Sequence, residues 1–108
     1  MPCGATAVIA YNDEIAVGVL NRLAYRGVRV PAQMSVVGFD DTGLAEMAMP
    51  LLTSVRLPAS SAGAAAVRML LEHVGRRGSG AAERVYFPSE LVVRSTTSPR
   101  EGQVADPT

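Results

Sequence analysis

Two short apolar runs, each ending in adjacent polar residues, constrain the fold more than any other feature of the sequence. The first run, TAVIAY, is followed by Asn12, Asp13 and Glu14, and the second run, SVVGF, is followed by Asp40 and Asp41. Short runs rich in small and β-branched residues are typical of strands that are buried on both faces. We therefore expect one buried strand to end at each polar cluster.

The segment between the two runs predicts a helix. Ile15, Val19 and Leu23 recur at four-residue spacing, and Gly27 stands where a helix C-terminus favours a left-handed residue. The order strand, helix, strand is one βαβ unit, in which the two strands run parallel. The predicted fold class is therefore α/β, built from βαβ layers on a parallel sheet.

Three further elements are predicted after the second strand. TGLAEMAM is a short helix that Pro50 stops, LLTSVRL is a strand that Pro58 ends, and residues 60–74 form a long helix. The long helix has an apolar stripe at helical spacing, formed by Val67, Leu70, Leu71 and Val74.

In the last part of the chain, the predicted strands are separated by a loop and by a proline. Residues 75–83, GRRGSGAAE, have the composition of an exposed loop. RVYF and ELVVRST, separated by Pro88, predict two final strands or one broken edge strand. Residues 98–108 are polar and contain proline and glycine, so we expect them to form a disordered tail.

The composition excludes several classes of protein. The 108 residues have no net charge and no lysine, which argues against a P-loop, Schiff-base chemistry or strong DNA binding by this segment alone. One cysteine and one histidine exclude a disulfide framework and a multi-cysteine metal site. No apolar run reaches the roughly 18 residues of a membrane span. We expect a cytoplasmic domain without cofactor, metal or membrane partner.

The two polar clusters point to a binding site. In a parallel α/β sheet, ligands bind beyond the carboxyl ends of the strands, and right-handed crossovers place neighbouring strand ends on one edge. Asn12 and Asp40 would then face a common crevice. Asparagine offers a donor and an acceptor, and a carboxylate accepts two hydrogen bonds from a diol, so the pair suits a hydroxyl-bearing ligand.

Other interpretations of these residues stay open. Asn12 and the aspartates can simply cap the helices that follow them. Asp40 and Asp41 could hold Mg²⁺ for phosphoryl transfer, although the lysine that such a receiver-type site needs is missing. A glycosidase pair requires two carboxylates several ångströms apart across a sugar, which adjacent residues do not provide. Arg56 and Arg94 lie near the ends of predicted strands and could anchor a partner or an anionic group.

Several ordered signals together resemble LacI/GalR (lac-repressor) transcription regulators. They are ND after a strand, G-x-R-V-P, S-V-V-G-F-D-D, L-T-S-V and E-L-V-V-R, and they extend over residues 5–99. The resemblance implies the C-terminal part of a type I periplasmic-binding-protein-like domain, which would occupy residues 1–97. Residues 59–86 would match the segment that crosses to the other subdomain.

The resemblance also implies roles for individual residues. Asn12 and Asp40 match effector-contacting positions, and Asp13 and Asp41 match neighbours that could support the site. A sugar or nucleoside-like effector would bind in the cleft between subdomains. A homodimer would form through the helix after ND and the segment after FDD, at Ile15, Val17, Gly18, Val19, Asn21, Leu44, Met47, Ala48 and Met49.

The family binds DNA through a helix-turn-helix headpiece that has no counterpart in these residues. We therefore expect DNA contact only through a headpiece outside this chain. Since the other partners of the long helix are also missing, its apolar stripe predicts self-association or local disorder. Two alternatives remain: a solute-binding protein of a sugar transporter, which shares the architecture, and a small metal-dependent α/β enzyme domain.

Overall fold

A four-stranded sheet forms the larger of the two compact units described below. The computed structural model describes residues 3–75 and 83–100. In chain order the elements are β1 (Ala7–Ile9), α1 (Asp13–Tyr25), β2 (Ser35–Phe39), α2 (Gly43–Met47), β3 (Thr53–Arg56), α3 (Ala59–Gly75) and β4 (Glu90–Val92). The strand order in the sheet is β1-β2-β3-β4.

The sheet is mostly parallel. Ile9 of β1 lies opposite Val37 of β2, and the two strands run in the same direction, as do β2 and β3. β4 pairs with β3 antiparallel, with Val92 opposite Ser54. The prediction of an α/β fold with β1–α1–β2 as a parallel unit is confirmed, and the antiparallel β4 makes the sheet mixed.

The ends of α1 follow from single residues. The side chain of Asn12 accepts a hydrogen bond from the backbone N–H of Ile15 and so caps the N-terminus. At the C-terminus Gly27 has a φ of +73°, and the N–H groups of Gly27 and Val28 donate to the carbonyls of Ala24 and Leu23. This is a Schellman arrangement, which confirms the predicted glycine cap.

One face of the sheet and the inner face of α1 share the apolar core. Ala16 and Leu20 of α1 are buried there, while Val19 and Leu23 pack at its margin and Ile15 is about half exposed. The buried face of α1 is thus centred on Ala16 and Leu20, which lie beside the predicted stripe of Ile15, Val19 and Leu23. The core consists of Ala10, Ala16, Leu20, Met34, Val36, Ala45 and Leu52.

The chain divides into two compact units, of which the smaller consists of residues 57–89. It contains α3, whose 17 residues include the predicted helix 60–74. None of these residues is buried, and all four residues of the predicted apolar stripe are more than half exposed. None of the helices in the described ranges is long and apolar enough to cross a membrane.

The strand prediction at the end of the chain is partly wrong. RVYF, residues 84–87, forms no strand, and within ELVVRST only Glu90–Val92 pairs with β3. Beyond Val92 the regular ladder ends, but single backbone bonds continue, such as that from the N–H of Ser95 to the carbonyl of Leu51. The hydroxyl of Thr96 also accepts from the N–H of Thr53 and donates to the carbonyl of Val36. Strand-forming composition needs a partner strand to become a strand, and the described part of the chain offers RVYF none.

Two other predictions fall wholly or partly outside the described ranges. Most of the predicted loop 75–83 lies there, as do residues 101–108 of the predicted tail. Ser98, the first residue of that tail, is hydrogen-bonded to Ser35 and to the carbonyl of Pro31.

Candidate functional site

Both polar clusters lie at the carboxyl edge of the sheet. β1 and β2 are neighbours in parallel register, and the N–H of Ala10 continues their pairing by donating to the carbonyl of Val37. Since adjacent strands lie about 4.8 Å apart, Asn12 and Asp40 follow strand ends that are next to each other. The topology therefore brings the two clusters to one edge, as the sequence predicts.

Asn12 has a structural role that limits what it can offer a ligand. Its Oδ1 atom lies 2.9 Å from the backbone nitrogen of Ile15 and accepts the capping hydrogen bond. The Nδ2 group, with two N–H donors, takes no part in that bond. Asn12 can thus serve a ligand through its free N–H donors, while one of the two lone pairs of its Oδ1 is used by the helix cap.

Asp13 is a fully buried carboxylate that joins three elements. Its Oδ2 accepts from the backbone N–H of Thr42 at 2.7 Å and from the hydroxyl of Thr42 at 3.1 Å. Its Oδ1 accepts from the hydroxyl of Ser54 at 2.6 Å. These bonds link the start of α1 to the β2–α2 turn and to β3. Because Asp13 is 0% exposed, its carboxylate has no access to a ligand.

Gly38 makes room for this carboxylate. A Cβ atom at position 38 would lie 2.3 Å from Oδ1 of Asp13 and 3.0 Å from a methyl carbon of Leu52. No side chain fits at those distances without displacing a buried neighbour. The glycine in SVVGF is therefore required by the Asp13 hydrogen bonds.

The turn after β2 has an unusual backbone. Asp40 and Asp41 have φ angles of 93° and 51°, in the left-handed region that non-glycine residues rarely adopt. The backbone N–H of Asp40 donates to the carbonyl of Val55, and that of Asp41 donates to the hydroxyl of Ser54. Such strain persists only where the surroundings fix it, and it is concentrated at functional sites.

Asp41 fixes the turn through two arginines. Its side chain is 5% exposed, and its Oδ1 lies 2.6 Å from Nη2 of Arg94. Its Oδ2 lies 2.8 Å from both Nε and Nη2 of Arg56, a two-point contact. Burial alone would raise the pKa of Asp41, but the hydrogen bonds from Arg94 and Arg56 outweigh burial and hold the pKa below its ordinary value.

Arg94 has more partners than any other arginine among the residues that the structure describes. Its Nη1 donates to the carbonyl of Leu52 at 2.7 Å, and its backbone N–H donates to the hydroxyl of Thr53. Its Nη2 also lies 3.8 Å from a carboxylate oxygen of Glu46 in α2. Arg94 therefore joins the end of the β4 segment to the FDD turn and to α2.

The importance of Arg94 is difficult to see in the sequence. Asp41 and Arg94 are separated by 53 positions along the chain, so no local pattern connects them. The available signal is an arginine after an apolar strand, which predicts an anionic partner without naming it. Asp41 is that partner.

Asp40 differs from Asp41 in the exposure of its side chain. It is exposed, whereas Asp13 and Asp41 have their carboxylates engaged inside the protein. Asp40 follows the end of β2 at the same edge of the sheet at which Asn12 follows the end of β1.

The same geometry is unfavourable for a metal site. Within residues 3–75 and 83–100, no group of three histidine, cysteine, aspartate or glutamate side chains is placed to hold a metal ion. Since Asp41 is already paired with two arginines, a divalent cation at Asp40 and Asp41 would have to displace a guanidinium. The Asp41 carboxylate is therefore already engaged by arginine in this structure.

Comparison with known proteins identifies the family. The periplasmic binding protein-like domain matches residues 1–97. The chain belongs to this family.

Within the periplasmic binding protein-like family, the chain matches LacI-type regulators. It is 42% identical to the HTH-type transcriptional regulator MalR of Streptomyces coelicolor over 102 residues, which is 94% of this chain and 29% of MalR. It is 42% identical over 97 residues to DegA of Bacillus subtilis, which is 87% of this chain and 28% of DegA. The resemblance to LacI/GalR regulators is confirmed, and the chain spans less than a third of these relatives.

Solved structures agree with the sequence relatives. A complex of the transcriptional regulator CelR with cellobiose superposes with a TM-score of 0.80 at 32% identity, covering 86% of this chain and 28% of CelR. A LacI family regulator from Lactobacillus casei with bound sucrose gives 0.71 at 35% identity, covering 84% of this chain and 33% of that one. The fold of the chain is thus the C-terminal part of a periplasmic-binding-protein-like domain.

Proposed function

We propose that the chain is the effector-sensing part of a LacI-type transcription regulator. It binds a sugar or nucleoside-like molecule at the edge formed by Asn12 and Asp40, and it controls DNA binding by a headpiece outside this chain. The single observation that carries the proposal is the contrast between the two adjacent aspartates. Asp41 is locked to Arg94 and Arg56, while Asp40 is exposed on the turn that these contacts fix.

A sugar is the ligand class that the site supports best. The Asp40 carboxylate can accept two hydrogen bonds from neighbouring hydroxyls, and the Asn12 amide can donate to a third oxygen. The structural neighbours named above contain cellobiose and sucrose, both rich in such hydroxyls. A nucleoside would present its ribose diol to the same pair.

Control of DNA binding would follow from differential effector affinity. In a two-subdomain sensor, a ligand that contacts both subdomains favours the closed state by the difference in its affinity for the two states. Asp40 and Asn12 supply the contacts from this side. As a regulator the protein would act in the cytoplasm, where its operator DNA is found.

A homodimer is part of the proposal. Ile15 is half exposed, and Met47 and Met49 are 74% and 90% exposed, so an apolar surface follows the ND and FDD segments. Val19 and Ala48 of the predicted interface also pack against the core, so they would support this surface from beneath. Exposed methionines of this kind suit an interface, because their side chains adapt to a partner.

We infer further that the chain is a sensor without catalytic activity. Its relatives are transcriptional regulators, and the carboxylates beside Asp40 are committed to structure. The alternatives, a transport protein and a metal-dependent enzyme, have no such support from the relatives.

A thermal-shift screen of the chain against sugars and nucleosides tests the proposal. Ligand at about 100 times its dissociation constant should add about 2.7 kcal/mol to the free energy of unfolding. The Asp40→Asn variant, which removes the charge at similar size, should abolish the shift. The matched control is Glu72→Gln, an equivalent change at an exposed carboxylate of α3, and it should retain the shift. A ligand shift that Asp40→Asn leaves intact would contradict the proposal, as would the absence of any sugar or nucleoside shift.

A further inference from the structure

A cavity lies at the edge of the sheet opposite to Asn12 and Asp40. Its volume is 660 Å³, and its lining includes Thr6, just before β1, and Ser35, the first residue of β2. Pockets for small molecules in proteins have volumes of about 300–1,000 Å³. The cavity therefore has room for a small organic ligand at the amino ends of the strands.

The cavity is lined by cationic and donor groups. Arg29 and Arg100 are among the lining residues, and none of the described lining residues is acidic. Gln33 accepts a hydrogen bond from the backbone N–H of Arg29 at its Oε1, 2.8 Å away. That bond fixes the amide orientation and leaves the Nε2 group with its two N–H donors. Two positive charges and an amide donor thus share one concave surface.

Long-range hydrogen bonds bring Arg100 to this surface. The backbone N–H of Ser98 donates to the hydroxyl of Ser35 at 3.2 Å, and the hydroxyl of Ser98 donates to the carbonyl of Pro31 at 3.1 Å. These bonds join positions more than 60 residues apart. They hold the segment that carries Arg100 against the segment that carries Gln33, so both lie at the same cavity.

We propose that this cavity is a binding site for a small organic anion with a phosphate or carboxylate group. Guanidinium groups bind such oxyanions through paired, charge-assisted hydrogen bonds. Arg29 and Arg100 supply the charge, and Gln33 supplies a further donor. The site is separate from the proposed effector edge and does not depend on the function proposed for Asp40.

An NMR titration of the chain tests the proposal. The probes are inorganic phosphate and, in a separate series, succinate, with sodium chloride holding the ionic strength constant so that general screening does not change. The side-chain amide of Gln33 and the backbone amide of Ser98 should shift and saturate together. Saturation by phosphate alone identifies a phosphate site, and saturation by succinate alone identifies a carboxylate site.

Arginine variants decide whether the site is specific. Arg29→Gln and Arg100→Gln should each weaken binding by about tenfold, the effect of losing a charge-assisted contact. Arg68→Gln, an equivalent change on the exposed surface of α3, should leave the affinity within about twofold. Both arginines of the cavity are exposed, so the variants should fold, which a well-dispersed NMR spectrum verifies.

Two results overturn the proposal. One is the absence of saturable shifts at Gln33 and Ser98 with either anion. The other is saturable binding that Arg29→Gln and Arg100→Gln weaken no more than Arg68→Gln does, which shows an adventitious ion only.

Discussion

Asp41 and Arg94 form a short ion pair, with 2.6 Å between Oδ1 and Nη2, that fixes the turn on which Asp40 is exposed. The pair is mostly shielded from water, since the side chains are 5% and 11% exposed. The same arginine binds the carbonyl of Leu52 at the start of β3. Arg94, which follows β4, thus acts with Arg56 to fix the turn at the proposed effector edge.

The Arg94→Met variant should lose stability. It leaves the buried Asp41 carboxylate with Arg56 as its remaining arginine, and breaking one side of a buried pair costs about 3 kcal/mol. Urea denaturation monitored by circular dichroism measures the change. Arg68→Met is the matched control, because the Arg68–Glu72 pair on α3 is exposed and should contribute below about 0.5 kcal/mol. Equal stability of the two variants would contradict this role for Arg94.

Stability should fall in acid through Asp41. Its pKa is lower in the folded state than its ordinary value of 3.8, because the hydrogen bonds from Arg94 and Arg56 outweigh the effect of burial. As pH falls, the Asp41 carboxylate is therefore protonated in the unfolded chain before it is protonated in the folded chain. The contribution of Asp41 is complete above pH 3.8 and is lost as pH decreases through the lower folded pKa.

The Asp41→Asn variant isolates this contribution. The difference in unfolding free energy between the parent and the variant should be constant near neutral pH and should shrink below pH 3.8. Urea titrations at a series of pH values measure it. A difference that stays constant down to the most acidic pH at which the protein folds would be inconsistent with a lowered pKa.

Two glycines give opposite predictions for the same substitution. Gly38→Ala places a methyl group 2.3 Å from Oδ1 of Asp13, and three hydrogen bonds hold that carboxylate in place. We therefore expect the free energy of unfolding to fall by about 1–3 kcal/mol. Gly18→Ala in α1 meets no atom within 4 Å and should gain about 0.5–1 kcal/mol from the helix preference of alanine. Denaturation midpoints measure both. Tolerance of Gly38→Ala would mean that the Asp13 contacts are not rigid.

Asp40→Gly should make the protein more stable while removing its proposed ligand acceptor. Glycine adopts a φ of 93° without steric cost, whereas a non-glycine residue there stores about 1 kcal/mol or more of strain. Asp40→Ala keeps the strain and is the control. Melting temperatures should rise for the glycine variant alone. If both variants gain equally, the conformation of residue 40 is not strained.

The apolar stripe of α3 should cause self-association of the chain. Leu70 and Leu71 are 60% and 66% exposed on a helix that buries none of its residues. Sedimentation equilibrium of the chain should show a mass that rises with concentration. The Leu71→Glu variant should shift the distribution toward monomer, whereas Glu72→Gln on the same helix should not. A concentration-independent monomer with α3 protected from hydrogen exchange would contradict this prediction.

Local sequence patterns predict the order and the parallel direction of the β1–α1–β2 unit well. The predicted burial of β1 is wrong, because β1 is the outer strand of the described sheet and Ala7 and Ile9 are exposed. An apolar run and a polar terminus are properties of neighbouring residues, and SVVGF forms the predicted strand from Ser35 to Phe39. The cap at Asn12 and the turn at Gly27 likewise depend on contacts within a few positions. These features follow from the chain itself.

Features that depend on contacts between distant residues could not be predicted from the sequence. RVYF has strand composition, but no strand of the described chain lies beside it to make it one. Asp41 is buried and paired while Asp40 is exposed, and this difference depends on Arg94, which is distant in the sequence. The helix cap uses one of the two lone pairs of the Asn12 Oδ1 and leaves the N–H donors of the side chain, which the residue type alone does not specify.

The most direct test of the central claim is the NMR response of the Asp40 side-chain carboxyl carbon to a hydroxyl-rich sugar such as cellobiose or sucrose. The account predicts a saturable shift at Asp40 and at the Asn12 side-chain amide, with little change at the Asp13 and Asp41 carboxyls. Saturable binding that shifts signals elsewhere but leaves Asp40 and Asn12 unchanged would show that the effector site is not at this edge of the sheet.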